Sequence, residues 1–183
     1  MKKLVLSFSL LIGLFLSATA QESDSKYKVS LGPEYLYTFG DVAEFYSMGY
    51  GASLQGELKL TPKLSVTASG GYLTLSVSKL YKQVVEPWGA EPQNTIIYPA
   101  KAGLKYSLFK NIYAAAEAGA AISPNEVARA TSFAYAGGLG TSFAVSSKSS
   151  LDLGLRYEAW SLNANDTYSF IGIRAAYVFG FGK

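Results

Sequence analysis

Three charged residues lie close together in the segment DLGLRYEAW, residues 152–160: Asp152, Arg156 and Glu158. Two carboxylates beside a guanidinium could act as a general acid and base, bind a ligand, or simply occupy one face of a β-strand. In an extended strand each residue advances the chain by about 3.3 Å, which places Asp152 and Glu158 about 20 Å apart. Carboxylates that share one reaction lie within roughly 10 Å of each other. The spacing therefore argues against a catalytic pair.

The composition removes most other catalytic chemistry. The chain contains no histidine and no cysteine. It therefore lacks the side chains of histidine acid–base catalysis, of thiol nucleophiles, and of most zinc and copper sites. No glycine-rich phosphate loop precedes a helical pattern. These absences predict a non-enzymatic protein without a cofactor or a metal.

The N-terminal segment is typical of a secretory signal peptide. Two lysines precede an apolar run at 4–16, and the small-residue cleavage motif Ala-Thr-Ala follows at 18–20. We therefore expect a signal peptide at 1–20 and a mature domain at 21–183. An uncleaved membrane anchor is the alternative, but 13 apolar residues are fewer than the roughly 20 that span a bilayer.

The mature domain would carry little net charge. Removal of the two N-terminal lysines lowers the net charge from +3 to +1. No large basic field remains that would attract nucleic acid. Nucleic acid is therefore not an expected partner.

From residue 27 onward, apolar and polar residues alternate with a period of two, which is typical of β-strands that have a different environment on each face. The alternation predicts eight strands, at 27–37, 48–60, 64–77, 96–108, 112–122, 132–145, 150–160 and 168–181. In the third strand the apolar residues change phase at 70–71, a Gly-Gly pair, which predicts a β-bulge there.

The connections between these strands alternate in length. Short turns lie at 61–63, 109–111 and 147–149, and longer loops lie at 39–47, 78–95, 123–131 and 161–167. An even number of strands, with short turns at one end and long loops at the other, is typical of outer-membrane barrels. The sequence therefore predicts an all-β fold, an eight-stranded antiparallel up-and-down transmembrane β-barrel.

The two faces of the strands favour a membrane barrel over a soluble exported one, which is the alternative. Charges and many glycines share one face, and most large aromatic residues share the other. A soluble barrel would expose the glycine-rich face, where glycine weakens strands without compensation. Aromatic residues also gather near the strand ends, with Tyr35, Tyr157, Tyr168 and Phe170 among those on the long-loop side. This placement is expected of the aromatic belts at membrane interfaces.

Two further segments carry a resemblance to a known family: LKYSLFKNIYAAAEAG at 104–119 and GIRAAYVFGF at 172–181. With the N-terminal segment, they resemble the small eight-stranded outer-membrane β-barrel proteins, in particular the porin-like outer-membrane β-barrel domain. The resemblance implies a location in the Gram-negative outer membrane, contact with outer-membrane lipid, and insertion by the barrel-assembly machinery. It also implies that Tyr177, Phe179 and Phe181 form the C-terminal assembly signal, although a Gly-Lys dipeptide follows the last aromatic residue.

The charged row in the seventh strand is better interpreted as part of a packed barrel interior. Eight strands enclose a space just wide enough for side chains. An isolated buried charge is costly, so charges inside must pair. We expect a network centred on Arg156, Glu158 and Arg174, with Glu34 brought near by closure of the first strand onto the last.

A second cluster is expected from Lys101 and Glu117, which lie on neighbouring strands. Other charges on the inward face are Lys28, Glu57, Lys59, Lys105 and Asp152. A lumen filled in this way would be closed to ions, which favours a structural or surface-interaction role. The alternatives are a narrow pore or conduit for small solutes, and an adhesin that uses the long loops.

The longest loop, at 78–95, is the candidate binding surface. It carries Tyr81 and Trp88, and exposed loops on a rigid scaffold are where recognition usually occurs. One alternative is a generic surface loop, and another is an extension of the strand hairpin through Val84 and Val85. The sequence leaves the identity of an extracellular ligand unknown.

Overall fold

The computed structural model of this chain describes residues 25–89, 92–124, 130–163 and 166–182. The elements are β1 (Tyr27–Thr38), α1 (Val42–Phe45), β2 (Tyr46–Lys59), β3 (Leu64–Val77), α2 (Lys79–Val85), a 3-10 turn (Glu86–Trp88), β4 (Thr95–Ser107), β5 (Ile112–Ser123), β6 (Ala130–Ala144), β7 (Ser149–Ser161) and β8 (Thr167–Phe181). Within the described ranges, no helix is long and apolar enough to cross a membrane. The signal peptide expected at 1–20 lies outside these ranges, and its cleavage stays a prediction.

The eight strands form one closed sheet. Each strand pairs with its neighbours in sequence, and β1 pairs with β8. All eight pairings are antiparallel, so the predicted eight-stranded antiparallel up-and-down barrel is confirmed. Closure leaves no open sheet edge, which a bilayer requires because its interior offers no hydrogen-bond partners to a backbone.

Successive residues of each strand alternate between the lumen and the outer surface. Leu31, Leu155 and Ile173 point outward and are half exposed or more, whereas Glu34 and Arg174 point inward and are buried. Because the side-chain period of a strand is two, each strand contributes one apolar face to the outside and one mixed face to the lumen.

The prediction of a β-bulge at 70–71 is wrong. β3 keeps one register against β4 on both sides of this position, and the register shift occurs instead in β2, between Tyr46 and Met48. Leu73 and Leu75 therefore point into the lumen, where both are buried. The apolar residues of β3 change face because one end of the lumen is itself apolar.

An apolar layer fills this long-loop end of the lumen. Its buried members are Leu36, Val42, Leu73, Leu75, Ile97, Ala121, Ala134, Trp160 and Phe170. Phe170 is fully buried, and its ring centroid lies 4.5 Å from that of Trp160. The expectation that Phe170 joins the aromatic belt is therefore wrong, because it shares the inward face of β8 with Arg174. Tyr168 packs partly buried against the same layer.

The connection at 78–95 contains helical structure. α2 and the 3-10 turn occupy 79–88, so the alternative that Val84 and Val85 extend a strand hairpin is wrong. The backbone amide of Ser78, at the start of α2, donates to the carbonyl oxygen of Phe45 at 2.8 Å. This bond joins the two short helices above the barrel.

Gly51 marks a place where the backbones of β2 and β3 approach too closely for a side chain. A Cβ atom at this position would overlap the carbonyl oxygen of Tyr72. Gly70, in the adjacent strand, has open space where its Cβ would lie. The two glycines therefore form a matched pair for testing the packing of the barrel wall.

We predict that Gly51→Val destabilises the barrel by about 1–3 kcal/mol, because an overpacked site forces the backbone to move. Gly70→Val should change the stability by less than about 0.5 kcal/mol, as expected of a site with free space. The folded fraction can be followed in a urea series by the gel band that resists SDS until the sample is boiled. Equal unfolding midpoints for the two variants would contradict the close approach at Gly51.

Candidate functional site: the filled lumen and the loop end of the barrel

Five strands contribute the six charged side chains that were expected to form two clusters in the lumen. They are Glu34 from β1, Lys101 from β4, Glu117 from β5, Arg156 and Glu158 from β7, and Arg174 from β8. Each occupies an inward position of its strand because of the two-residue alternation. The structure brings all six together in the middle of the barrel.

Arg156 connects β7 with β1 across the lumen. Its Nη2 donates to Oε2 of Glu34 at 2.7 Å, and its Nε donates to Oε2 of Glu158 at 2.6 Å. Arg156 and Glu34 are 122 positions apart in the sequence, so only the closed barrel brings them together. Charge-assisted bonds from two nitrogens of one planar guanidinium also fix its orientation.

Arg174 reaches the same carboxylate with the help of two serines. Its Nε lies 3.4 Å from Oε1 of Glu34 and donates a shorter bond to Oγ of Ser53 at 2.8 Å, and its Nη2 donates to Oγ of Ser30 at 3.0 Å. The Ser53 hydroxyl in turn donates to Glu34. The sequence alone did not indicate that these two serines would bond to the charged side chains.

Lys101 joins the two expected clusters into one. Its Nζ lies 3.0 Å from Oε1 of Glu158 and 3.5 Å from Oε2 of Glu117. Glu158 is fully buried and also accepts a hydrogen bond from Nε1 of Trp160 at 2.9 Å. We call the six charged residues the central network, and Trp160 links it to the apolar layer.

A separate cluster of lumen side chains lies nearer the short turns. The sequence did not predict that these residues contact one another. Nζ of Lys105 lies 3.1 Å from Oε2 of Glu57 and 3.3 Å from Oδ2 of Asp152. Tyr113 donates its hydroxyl hydrogen to Oδ1 of Asp152 at 2.6 Å, and its ring centre lies 3.9 Å from Nζ of Lys105. Asp152 therefore belongs to a different cluster from Glu158, although both stand in the same row of β7. The alternation in the sequence predicted that these side chains point inward. It does not predict which side chains contact each other across the lumen.

These contacts neutralise the carboxylates of the lumen. Each of the five, Glu34, Glu57, Glu117, Asp152 and Glu158, has a cationic nitrogen within 3.5 Å. In the part of the chain that the structure describes, no group of three or more His, Cys, Asp or Glu residues is placed to hold a metal ion. The cavity left between the side chains measures about 60 Å³, room for a few water molecules. The ion pairs therefore connect strands on opposite sides of the barrel.

A pocket of about 170 Å³ opens at the loop end. Its lining consists of Phe45, Tyr46, Val77, Tyr81, Pro92, Gln93 and Tyr168. Tyr81 packs edge-on against Phe45 with 5.3 Å between ring centroids. Trp88 lies outside this pocket and is 87% exposed. The structure thus separates the two residues proposed for the binding loop.

The aromatic residues of the expected assembly signal share the outer face of β8. Tyr177, Phe179 and Phe181 are each about half exposed. The Phe181 ring stacks on Tyr27 of β1, with 5.9 Å between centroids. The three rings are accessible from the lipid side, and their recognition by the assembly machinery stays a prediction.

One family of known proteins matches nearly the whole chain. The match is to the outer membrane protein beta-barrel domain, over residues 6–179. The chain belongs to this family. Its location is accordingly the outer membrane of a Gram-negative cell, with lipid around the outer face of the barrel.

Solved structures of other outer-membrane proteins share the fold of this beta-barrel domain. Ail, the attachment invasion locus protein of Yersinia pestis, is 17% identical, with a TM-score of 0.53 over 85% of this chain and 99% of that chain. Neisserial surface protein A is 15% identical, with a TM-score of 0.58 over 86% of this chain and 98% of that chain. At these identities the similarity shows the fold alone. Among curated protein sequences, none matches this chain.

Outer-membrane barrels have a fixed orientation. Their short turns face the periplasm, and their longer loops face the exterior. In this beta-barrel domain the apolar layer, α1 and α2 therefore lie at the extracellular end. The cluster around Lys105 lies towards the periplasm.

We predict that Glu158→Ala destabilises the barrel by about 3–5 kcal/mol, because Arg156 and Lys101 would both lose a buried counter-charge. Glu57→Ala is the matched control and should cost less, since only one cation, Lys105, loses a contact, and the Glu57 side chain is 11% exposed whereas that of Glu158 is 0% exposed. The measurement is urea unfolding of the refolded protein in lipid vesicles, followed by the boiling-sensitive gel band. An equal loss of stability in both variants would contradict the central position of Glu158.

Proposed function

We propose that this outer-membrane barrel is a non-enzymatic, non-conducting scaffold that presents an interaction surface outside the cell. One observation carries the proposal: the lumen is filled at two levels, by the central network and by the apolar layer above it. The central network is charged, whereas the layer above it is apolar. Ions and polar solutes would meet the apolar layer, and apolar solutes would meet the charges.

The absence of enzymatic activity is supported by the chemistry of the lumen. The chain has no histidine or cysteine, and the lumen carboxylates are held in ion pairs with Lys and Arg. A general base must be free to accept a proton from a substrate at hydrogen-bond distance. The carboxylates of the central network face other side chains of the barrel.

We predict that the refolded protein gives no steady conductance in a planar lipid bilayer. The physical reason is that an ion would have to displace paired side chains from a space with room for only a few waters. The same preparation should show the boiling-sensitive gel band, which establishes that the barrel is folded. Steady channels from folded protein would overturn the proposal and favour the narrow pore or conduit.

A second candidate function, adhesion through the long loops, is favoured by an exposed apolar patch on α2 and the 3-10 turn. The patch consists of Leu80, Val84 and Trp88, which are 61–87% exposed. Leu80 and Val84 are four residues apart and lie on one face of the helix. Exposed apolar side chains grouped on one loop favour a binding surface for a partner. The chemistry of that partner is neutral and apolar at the point of contact.

We predict that Trp88→Ala reduces capture of whole cells by a panel of immobilised extracellular-matrix proteins at least fivefold, since exposed tryptophans commonly dominate the binding energy of an interface. Phe109→Ala is the matched control, because Phe109 is also an exposed aromatic residue but lies at the periplasmic end. Unchanged capture by the Trp88 variant, at equal surface expression, would argue against adhesion through this patch.

A further inference from the structure

The three periplasmic turns share one construction. In each, two successive backbone amides donate to the same carbonyl oxygen, at distances between 2.8 and 3.1 Å. The amides of Leu60 and Thr61 bond to Leu64, those of Leu108 and Phe109 to Ile112, and those of Val145 and Ser146 to Ser149. Each turn is thus a compact unit with a fixed backbone, and its side chains project from the end of the barrel.

Each of these turns carries one exposed lysine. Lys63, Lys110 and Lys148 occupy the three turns, and Lys26 lies beside the start of β1 at the same end. None of the four forms an ion pair within the described ranges. Lys26 lies 5.7 Å from the centre of the Tyr27 ring, and the other three turn-end positions are open to solvent.

Positive and negative side chains among the described residues are distributed unequally between the two ends of the barrel. Among the described residues, the periplasmic end holds seven lysines, Lys26, Lys28, Lys59, Lys63, Lys105, Lys110 and Lys148, and two carboxylates, Glu57 and Asp152. The described extracellular connections hold Asp41, Glu44, Glu86 and Asp166 with Lys79 and Lys82. Counted over these described residues, lysines outnumber carboxylates at the periplasmic end by seven to two, and carboxylates outnumber lysines in the extracellular connections by four to two.

Exposed apolar side chains accompany the turn lysines. Leu60, Leu108, Phe109 and Val145 are 43–72% exposed. A turn that projected into the aqueous periplasm would leave these side chains in water. Apolar groups next to lysines are instead typical of a membrane interface, where the apolar part enters the acyl chains and the ammonium group remains at the headgroups. The apolar turn residues also continue the outer face that already contacts lipid.

We propose that this periplasmic rim, formed by Lys26, Lys63, Lys110 and Lys148 with Leu60, Leu108, Phe109 and Val145, binds anionic phospholipid headgroups of the periplasmic leaflet. The ammonium groups complement the headgroup phosphates, and no carboxylate of the described ranges forms an ion pair with any of the four. The apolar neighbours favour a lipid surface over a soluble polyanion. This inference goes beyond the proposed function, because a closed scaffold needs no particular lipid.

The test measures lipid selectivity of the intact barrel. The protein is reconstituted in phosphatidylcholine with a trace of spin-labelled lipid, and electron spin resonance gives the fraction of label immobilised at the protein. Spin-labelled phosphatidylglycerol should be preferred over spin-labelled phosphatidylcholine by roughly fivefold, the ratio expected of one lysine near one headgroup charge. The preference should fall towards one in about 1 M salt, where the screening length is about 3 Å.

Two variants make the test specific to the rim. Lys26→Gln, Lys63→Gln, Lys110→Gln and Lys148→Gln combined should abolish the preference, whereas Lys79→Gln and Lys82→Gln combined, at the extracellular end, should keep it. Both variants leave the lumen clusters intact, and the boiling-sensitive gel band checks that they fold. Equal selectivity in wild type and the turn variant, or equal loss in both variants, would overturn the proposal. Co-sedimentation with isolated peptidoglycan that depends on the turn lysines, without a preference for phosphatidylglycerol, would overturn it in favour of the peptidoglycan polymer as the partner.

Discussion

Closure of β1 onto β8 is the constraint on which the rest of the structure depends. A sheet inside a bilayer cannot leave an edge of backbone amides and carbonyls unpaired, so the chain must return to its first strand. That return places Glu34 opposite Arg174 and within reach of Arg156 from β7. The charges that would be costly in isolation are thereby paired. Closure of the barrel therefore also pairs the charges of Glu34, Arg156 and Arg174.

The lumen is built in two parts that stabilise each other. The central network fixes the middle of the barrel through ion pairs between strands that are not neighbours, such as Lys101 of β4 with Glu158 of β7. The apolar layer covers the network on the extracellular side, and Trp160 belongs to both because its ring is in the layer and its Nε1 donates to Glu158. A hydrogen bond shielded from water in this way is strengthened electrostatically. The result is a rigid platform under α1 and α2.

The two ends of the barrel differ because they meet different surroundings. At the extracellular end, α2 raises Leu80, Val84 and Trp88 above the rim, where a partner from outside could reach them. At the periplasmic end, tight turns hold exposed lysines beside exposed apolar residues, close to the lipid headgroups. The same rigid wall therefore separates a surface suited to recognition from a surface suited to lipid.

Much of this architecture could be predicted from the sequence, because a strand period of two assigns each residue to one of two faces without reference to any other strand. That local rule predicts the eight strands and the turns between them. It also predicts the inward placement of Glu34, Arg156 and Arg174. Errors arose where a face changes character along its length: the inward apolar residues Leu73 and Phe170 were interpreted as a phase change and as part of a lipid belt. The tertiary structure alone decided which charges pair across the lumen, why Asp152 and Glu158 join different clusters, and that 79–88 is helical. The physical reason is that these contacts depend on how eight strands close and how the space above them is filled, and neither is encoded in the alternation along a single strand.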